Sequence, residues 1–355
     1  MRSATRAATA TVLATVVATL TACGGQPAAA RDAADPSETL AASCTAEDGP
    51  LRIYLNPWGA TLSERFTADT GIPTEIADLG GGEILARIAA EANNPQWDVV
   101  LLDGHGSLQS LADQDMLLTG WTSESRANLT AEADQMAPED NAWLPVSEHA
   151  AGLIAYNTDL VPAEDAPQSW SELSGPVGFA DPAVAAPAYP VVSWFFQDMG
   201  TEAAQAWFSE LIDSGMRVYP KNGPLGQALV TGEVPVAALQ EQHVYQLMQA
   251  GDPVDIVWPE EGALGVVRAA AISADTPRPC ASQKFLDWLL TPETMTYLMA
   301  EGGDDGVVTP LVEGTDTSSL PPERPAETPL LITDARFAAD NEADIKDWFA
   351  DELAR

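Results

Sequence analysis

From residue 51 onward the chain alternates short, nearly continuous apolar runs with stretches of helical periodicity, and this alternation restricts the fold more than any other feature. Leu51-Arg52-Ile53-Tyr54-Leu55 and Asp98-Val99-Val100-Leu101-Leu102 read as strands, the second apolar enough to be a parallel strand buried on both faces. Between them, Leu62 and Phe66 lie one helical turn apart, with Gly71 as a stop. Glu83 to Asn93 then puts Ile84, Leu85, Ile88 and Ala89 on one face, and Leu108 and Leu111 open a further helix. A β-α-(β)-α-β-α order predicts an α/β fold with a doubly wound sheet and ligand-facing loops at the strand C-termini. A chain of 355 residues is long enough for two such lobes.

The middle of the chain reads as a second unit. Strands are expected at Ala151–Tyr156, Val177–Ala180 and Val234–Leu239, with Pro235 at an edge or a strand start. Ser169-Trp170-Ser171-Glu172 has the spacing of a capping box that starts a helix. Thr201 is expected to cap a helix burying Ala204, Trp207, Phe208, Leu211 and Ile212, ended by Gly215. The chain then returns through extended segments at Val254–Val257 and Gly265–Ile272. Helices follow around Phe285–Leu290 and from Thr291-Pro292, with Met295, Leu298 and Met299 inward. Residues 301–330 carry no clear element. Residues 337–354 are expected to form a terminal helix burying Phe337, Ile345, Trp348 and Phe349.

Charge excludes whole classes of partner. Asp and Glu number 53 against 16 Lys and Arg, a formal net charge of −37. Such a chain has little with which to displace counterions from nucleic acid, and an anionic membrane surface repels it. Apolar residues make up 46%, enough for a real core, so global disorder is excluded as well.

Residues 1–22 read as a secretory signal, with Arg2 and Arg6 ahead of an uncharged run too short and Thr-rich for a good membrane span. Residues 23–48, rich in Ala, Gly, Pro and acid, read as a flexible tether. The signal ends Leu20-Thr21-Ala22-Cys23, which resembles the bacterial lipobox. In that family of signals the Cys is acylated and becomes the mature N-terminus, so Cys23 is expected to carry lipid and to hold the protein on the outer face of the cell membrane. With Cys23 occupied, Cys44 and Cys280 remain as an even pair in an oxidising compartment and are expected to form a disulfide. Closing a loop of roughly 235 residues would add at most about 5 kcal/mol on the chain-entropy estimate.

No P-loop, CxxC pair, HExxH or GxSxG motif occurs. Asp103, His105 and Ser107 are triad-type residues, but spacing of two along one loop rarely builds a hydrogen-bonded row. The three histidines, His105, His149 and His243, each have a carboxylate nearby in sequence, which leaves open a composite metal site or ordinary cleft histidines. Gly80-Gly81-Gly82-Glu83 precedes a helix, so its free N–H groups can receive an anion or a polar ligand oxygen, or the run is a plain tight turn. Trp58, ending the first strand, can stack on a ligand or belong to the core.

The pieces in order match a family. Gly82 to Val100 (GEILARIAAEANNPQWDVV), Ala155-Tyr156-Asn157-Thr158-Asp159, Gln168 to Leu173, Phe179 to Pro182, Thr231 to Val236, Val257 to Gly262 and Lys284 to Glu293 together resemble the solute-binding proteins of bacterial ABC transporters. The subgroup is that of the iron, phosphonate, thiamine and polyamine binders. The resemblance implies a type II periplasmic-binding fold: two doubly wound lobes joined by two crossovers, near residues 146–152 and 258–270, closing on a small solute and docking on a membrane permease. Lobe 1 is expected at 49–147 with a returning segment about 265–320, lobe 2 at 148–264, and a Pro-rich segment and C-terminal helix at 321–355. Iron binders carry adjacent tyrosines where this chain has Gln242-His243, with Tyr245 beyond. Phosphonate binders often show hydroxyls after Asp-Pro, where this chain has Ala185-Ala186-Pro187-Ala188-Tyr189. The expected ligand-binding set is Trp58, Gly81, Gly82, Glu83, Asp103, His105, Glu148, Tyr189, Glu241, His243 and Tyr245. Aromatic and acidic, it favours a cationic organic solute or a metal ion over a plain anion. The expectation is a monomeric, non-enzymatic importer component without a cofactor. A secreted α/β hydrolase, or a binding fold reused as sensor or scaffold, stands as the alternative.

Overall fold

The computed structural model describes residues 47–322, 324, 325 and 329–355. The signal segment, Cys23, Cys44 and the tether up to residue 46 lie outside the described residues. The strands are β1 (Leu51–Leu55), β2 (Thr74–Asp78), β3 (Val99–Asp103), β4 (Leu144–Asn157), β5 (Val177–Ala180), β6 (Arg217–Tyr219), β7 (Val236–Leu239), β8 (Val254–Val257), β9 (Ala263–Ile272), β10 (Thr309–Pro310) and β11 (Leu330–Ile332). The α-helices are α1 (Gly59–Thr70), α2 (Gly81–Ala90), α3 (His105–Asp113), α4 (Ala131–Met136), α5 (Ala188–Met199), α6 (Thr201–Asp213), α7 (Asn222–Val230), α8 (Glu241–Ala250), α9 (Pro279–Leu289), α10 (Pro292–Glu301) and α11 (Ala335–Leu353).

The strands run in the order β2-β1-β3-β9-β4-β7-β5-β6, with β8 and β10 on β4 and β11 on β9. In lobe 1, β1 pairs in parallel with β2 and β3, and β3 pairs antiparallel with β9. In lobe 2, β5 lies parallel to both β6 and β7. The 14-residue β4 belongs to both sheets: Leu144 to Gly152 pair with β9, and Leu153 to Asn157 pair with β7 and β8. The chain therefore crosses within β4 and crosses back between β8 and β9. Register shifts at Pro145/Ser147 and Ala150/Gly152 bend β4 along this passage.

Apolar burial follows the same division. One cluster joins β1 and β3 to α1, α2, α9 and α10 through Ile53, Phe66, Ile88, Phe285 and Met295. A second, dominated by aromatic rings, joins β5, α5, α6 and α11. The terminal helix buries Ile345 and Phe349 as its periodicity predicts, with Trp348 half-buried. Its N-terminal end reaches lobe 1, where Ala338 closes on Gly106 of α3 so tightly that a Cβ on that glycine would stand 2.5 Å from the Ala338 Cβ.

Several expectations are corrected. Ser169–Glu172 does not start an α-helix. Glu172 does reach back, accepting from the Gln168 N–H at 2.7 Å, but only the three-residue 3-10 turn Trp170–Glu172 forms before Gly175-Pro176 intervene. β4 is much longer than its apolar stretch, because Glu148 and His149 are buried in it. Pro235 immediately precedes β7, which is central, so the strand-start alternative holds. Helix α5, with little periodic contrast, was not anticipated. Residues 47 and 48, assigned to the tether, are docked: the Glu47 carboxylate accepts the Cys280 and Ala281 N–H groups at 3.0 Å each, at the N-terminus of α9.

Phe208 is the hub of the lobe 2 core, fully buried and 4.8–6.2 Å by ring centroid from Phe179, Phe195, Phe196, Trp207 and Phe349. Replacing it by Ala removes the largest shared contact and leaves a void. Urea unfolding should show Phe208→Ala less stable by about 3–5 kcal/mol.

Candidate functional site

A cavity of about 750 Å³ lies between the lobes, where strands end and helices begin. Lobe 1 supplies Asn56 after β1, Asp78 at the end of β2, Gly80, Gly81 and Glu83 at the start of α2, and Asp103 at the end of β3. Asp304 and Asp305, in the 3-10 turn Gly303–Gly306 after α10, complete that wall. Lobe 2 supplies Val184 to Pro187 before α5, Lys221 to Pro224 at the start of α7, and Gln240, Gln242 and His243 at the start of α8.

The floor is a buried polar network. Arg268 of β9 is fully buried, and its Nε donates to the Asp103 Oδ1 at 2.9 Å while Nη1 donates to the Asp305 carbonyl at 3.0 Å. Burial alone would raise the Asp103 carboxyl; the Arg268 charge leads the groups that reverse this and hold it below the usual carboxylate range. Burial pushes Asp305 up, against the opposing pull of Arg268. Beside this pair, the His149 Nε2 lies 2.6 Å from the Gln240 amide nitrogen, and the Asn222 amide donates to the Gln240 Oε1 at 2.7 Å. Burial drives the His149 pKa down to about 4, so the ring is neutral near pH 7 and accepts from Gln240. The Arg268–Asp103 pair thus ties β9 to β3 in lobe 1, and beside it the His149–Gln240–Asn222 chain ties β4 to the first turn of α7 in lobe 2.

The walls differ in electrostatic sign. Asp78, Glu83, Asp304 and Asp305 all line the lobe 1 side. On the lobe 2 side, α7 and α8 begin at the cavity, where the first-turn N–H groups of a helix carry a partial positive charge, and Lys221 adds a full one. Among the described residues Lys221 is in no ion pair. The one carboxylate in the first turn of α8, Glu241, faces elsewhere: it takes Arg324 Nε at 2.7 Å and the Ala150 N–H at 2.8 Å.

Of the residues singled out in the sequence, Gly81, Glu83, Asp103 and His243 line this cavity. Gly82 packs on the Val184 carbonyl instead. Trp58 is buried in the core; its ring carries the Arg268 guanidinium at 4.4 Å, and its left-handed backbone (φ 63°) is held by an N–H bond to the Asp305 Oδ2 at 3.0 Å. His105 packs edge-on to Trp143 and is pushed by burial to about 4. With Asp103 committed to Arg268, no Asp103-His105-Ser107 row exists. Tyr189 donates its hydroxyl to the Ala338 carbonyl at 2.6 Å, Tyr245 is buried, and Glu241 is tied to Arg324. Glu148 borders a separate hollow with Thr309 and Arg324. Among the described residues, no three His, Cys, Asp or Glu side chains group so as to hold a metal ion. Sequence reading missed Asp78, Lys221, Asn222, Gln240, Asp304 and Asp305. The available signals were the rarity of lysine, of which there are three, and the Gly-Gly-Asp-Asp-Gly turn at 302–306.

Residues 61–326 match the family described as bacterial extracellular solute-binding protein. The chain belongs to this family. A relative in Salmonella typhimurium, named a putative 2-aminoethylphosphonate-binding periplasmic protein, is 26% identical over 253 residues, 68% of this chain and 71% of that one. Iron uptake protein A1 of Synechocystis is 23% identical over 255 residues, covering 67% and 69%. Two solved structures share the type II fold. The periplasmic binding protein AfuA of Actinobacillus pleuropneumoniae, bound to fructose-6-phosphate, has a TM-score of 0.74 at 21% identity, covering 86% of this chain and 99% of that one. Iron-bound HitA of Pseudomonas aeruginosa has 0.69 at 23%, covering 84% and 99%. The protein is thus an extracytoplasmic solute-binding component of the ABC-importer type, and these relatives are binding proteins rather than enzymes. No helix among the described residues is long and apolar enough to cross a membrane.

Glu148 offers a measurable consequence of burial inside β4. Desolvation, with Glu132 and Glu241 nearby, raises its pKa from 4.5 to about 7. A carboxyl raised on folding is most favourable when protonated, so stability is full below pH 4.5, falls as pH rises from 4.5 to 7 and is level above. Glu148→Gln lacks this loss. Thermal melts at pH 5 and pH 8 should show wild type losing stability relative to the variant, on the order of a few kcal/mol.

Proposed function

We propose that the protein is a lipid-anchored receptor that captures a small zwitterion between its lobes and delivers it to an ABC permease. In this reading a phosphonate or similar anion sits against Lys221 and the N-termini of α7 and α8, and an ammonium group sits against Asp78 and Asp304. The observation that carries it is the opposed polarity of the cavity walls, carboxylates on lobe 1 and a lysine with helix N-termini on lobe 2. The aminoethylphosphonate relative supports it, since that compound carries both charges on a short chain. The sequence favours a cationic organic solute or a metal ion; the acidic wall supports a positive group on the ligand, and the Lys221 wall is the reason for adding an anionic one.

The anchor and the division of the chain belong to the same proposal. Residues 1–22 are removed, Cys23 is acylated, and the following residues tether the domain outside the membrane. A bond between Cys44 and Cys280 is supported by Glu47, three residues beyond Cys44, which is hydrogen-bonded to the Cys280 N–H. Lobe 1 at 49–147 with its returning segment and lobe 2 at 148–264 agree with the two passages through β4 and between β8 and β9. The protein acts as a monomer and catalyses no reaction.

Isothermal titration with 2-aminoethylphosphonate tests the ligand. Wild type should bind it, and Lys221→Ala should weaken binding at least about tenfold, or about 1.4 kcal/mol. Asp78→Asn should weaken 2-aminoethylphosphonate more than methylphosphonate, which lacks the amine. Absence of binding by wild type, or equal losses for both compounds, would overturn the assignment.

A further inference from the structure

Where the lobes meet beside the cavity, the point of tightest approach is a glycine facing an alanine methyl. The first turn of α2 carries Gly81 and Gly82, and the facing loop between β5 and α5 carries Val184, Ala185 and Ala186. A Cβ on Gly81 would stand 2.2 Å from the Ala186 Cβ, and one on Gly82 would stand 3.0 Å from the Val184 carbonyl oxygen. Neither glycine has a positive φ, so conformational freedom does not explain them; clearance does. Both sides are rigid. Helix α2 is pinned in the lobe 1 core by Ile84 and Ile88, and Ala185 and Ala188 are buried in the core of lobe 2. An Ala186 methyl has no rotamer by which to withdraw, so any atom added at Gly81 must be accommodated by moving one lobe from the other.

We propose that Gly81 and Ala186 form the stop that fixes how far the lobes close, and thereby the size of ligand the cleft retains. This makes them a specificity-determining pair that acts through lobe position. The glycine run, readable in the sequence as an anion or polar-oxygen site or as a plain tight turn, thus acquires a role in setting lobe position. The effect on ligand rests on the solute-binding reading above; the contact itself does not depend on which solute binds.

The geometry supplies a compensating exchange. With Ala186 reduced to glycine, a Cβ at position 81 would next meet the residue 186 Cα at 3.6 Å, an ordinary contact. Gly81→Ala alone should fold normally, with an unliganded melting midpoint at or above wild type, because alanine is the better helix former. It should bind 2-aminoethylphosphonate at least tenfold more weakly and fail to reach the liganded radius of gyration of wild type in small-angle scattering. The double variant Gly81→Ala/Ala186→Gly should recover both. If Gly81→Ala binds within twofold of wild type and contracts equally, or the double variant recovers neither property, the stop is disproved. A second arm needs no ligand: Gly81→Cys/Ala186→Cys, exposed to oxidised glutathione, should form a bond between the two introduced thiols and hold the lobes slightly short of full closure, because a disulfide sets its Cβ atoms about 3.5–4.5 Å apart whereas the closed lobes leave 2.2 Å. Free thiols at both positions after oxidation would refute the contact. Cross-linking alongside a wild type that ignores 2-aminoethylphosphonate would sink the ligand reading and leave the stop standing.

Discussion

One strand shared by two sheets is the constraint on which the rest depends. Along β4 the first nine residues are laddered to β9, and the last five to β7 and β8. Most of its backbone is laddered on one side of the passage or the other, and the Ala150 N–H at the second irregularity is taken by the Glu241 carboxylate at 2.8 Å, so the chain crosses between lobes with its buried polar groups largely paired. The two register shifts fall in the first part of the strand, where ladder hydrogen bonds are locally interrupted and bending is cheapest. The return passage between β8 and β9 lies alongside. Two adjacent backbone connections permit rotation about a line through them and resist sliding, which suits a cleft that opens and shuts.

The polar network is built on the same strands. Arg268 on β9 and His149 on β4 are both fully buried. A buried ion pair returns little net stability, because the desolvation of both charges offsets their attraction. Arg268 is better understood as an organiser. It fixes Asp103, it holds the turn bearing Asp305 through the main-chain carbonyl, and its flat face covers Trp58. Three segments of lobe 1 that are distant in sequence are thereby aimed at one cavity. His149, kept neutral, organises a second chain beside it, through Gln240 to the first turn of α7. Losing one member would leave the others buried without partners, which costs more than the bonds contribute when intact.

What was legible in the sequence follows from where the information resides. Strands β1 and β3 and helices α1, α2, α9 and α11 announced themselves by local apolar period, and the structure has them within a few residues. Gly81, Glu83 and Asp103 were legible for a similar reason: a glycine run entering a helix, and a carboxylate ending a buried strand, mark the ligand edge of such a sheet. Asp78, Lys221 and Asp304 sit in three separate loops, and nothing local distinguishes them from solvated surface charge. Their convergence is a property of strand order. The misplaced aromatics have a different cause. Trp58 and Tyr189 have the chemistry of ligand contacts, but each carries enough apolar area that the core claims it, and its polar edge is satisfied there or left to the interior. Glu241 was misplaced because its partner, Arg324, lies 83 residues on in a segment with no periodic pattern.

Opposite polarity on the two walls also bears on how closure is controlled. Bringing a carboxylate wall toward a lysine and two helix N-termini is favourable at long range, which would tend to close the empty protein. At short range the groups do not form direct ion pairs: among the described residues Lys221 has no carboxylate within salt-bridge distance, although Gly80 of the opposite lobe lies close to its ammonium. A backbone stop at Gly81 and Ala186 accounts for this separation, since it halts the lobes before the charges meet. The charges then remain incompletely paired in a partly desolvated cleft, and a solute bearing both signs gains by completing them only when both walls are in place. That is the condition for a ligand to shift a conformational equilibrium, because tight binding to one wall alone would move nothing. Specificity and closure therefore rest on the same gap, its width set by a glycine against a methyl that cannot withdraw and its polarity by residues recruited from both lobes.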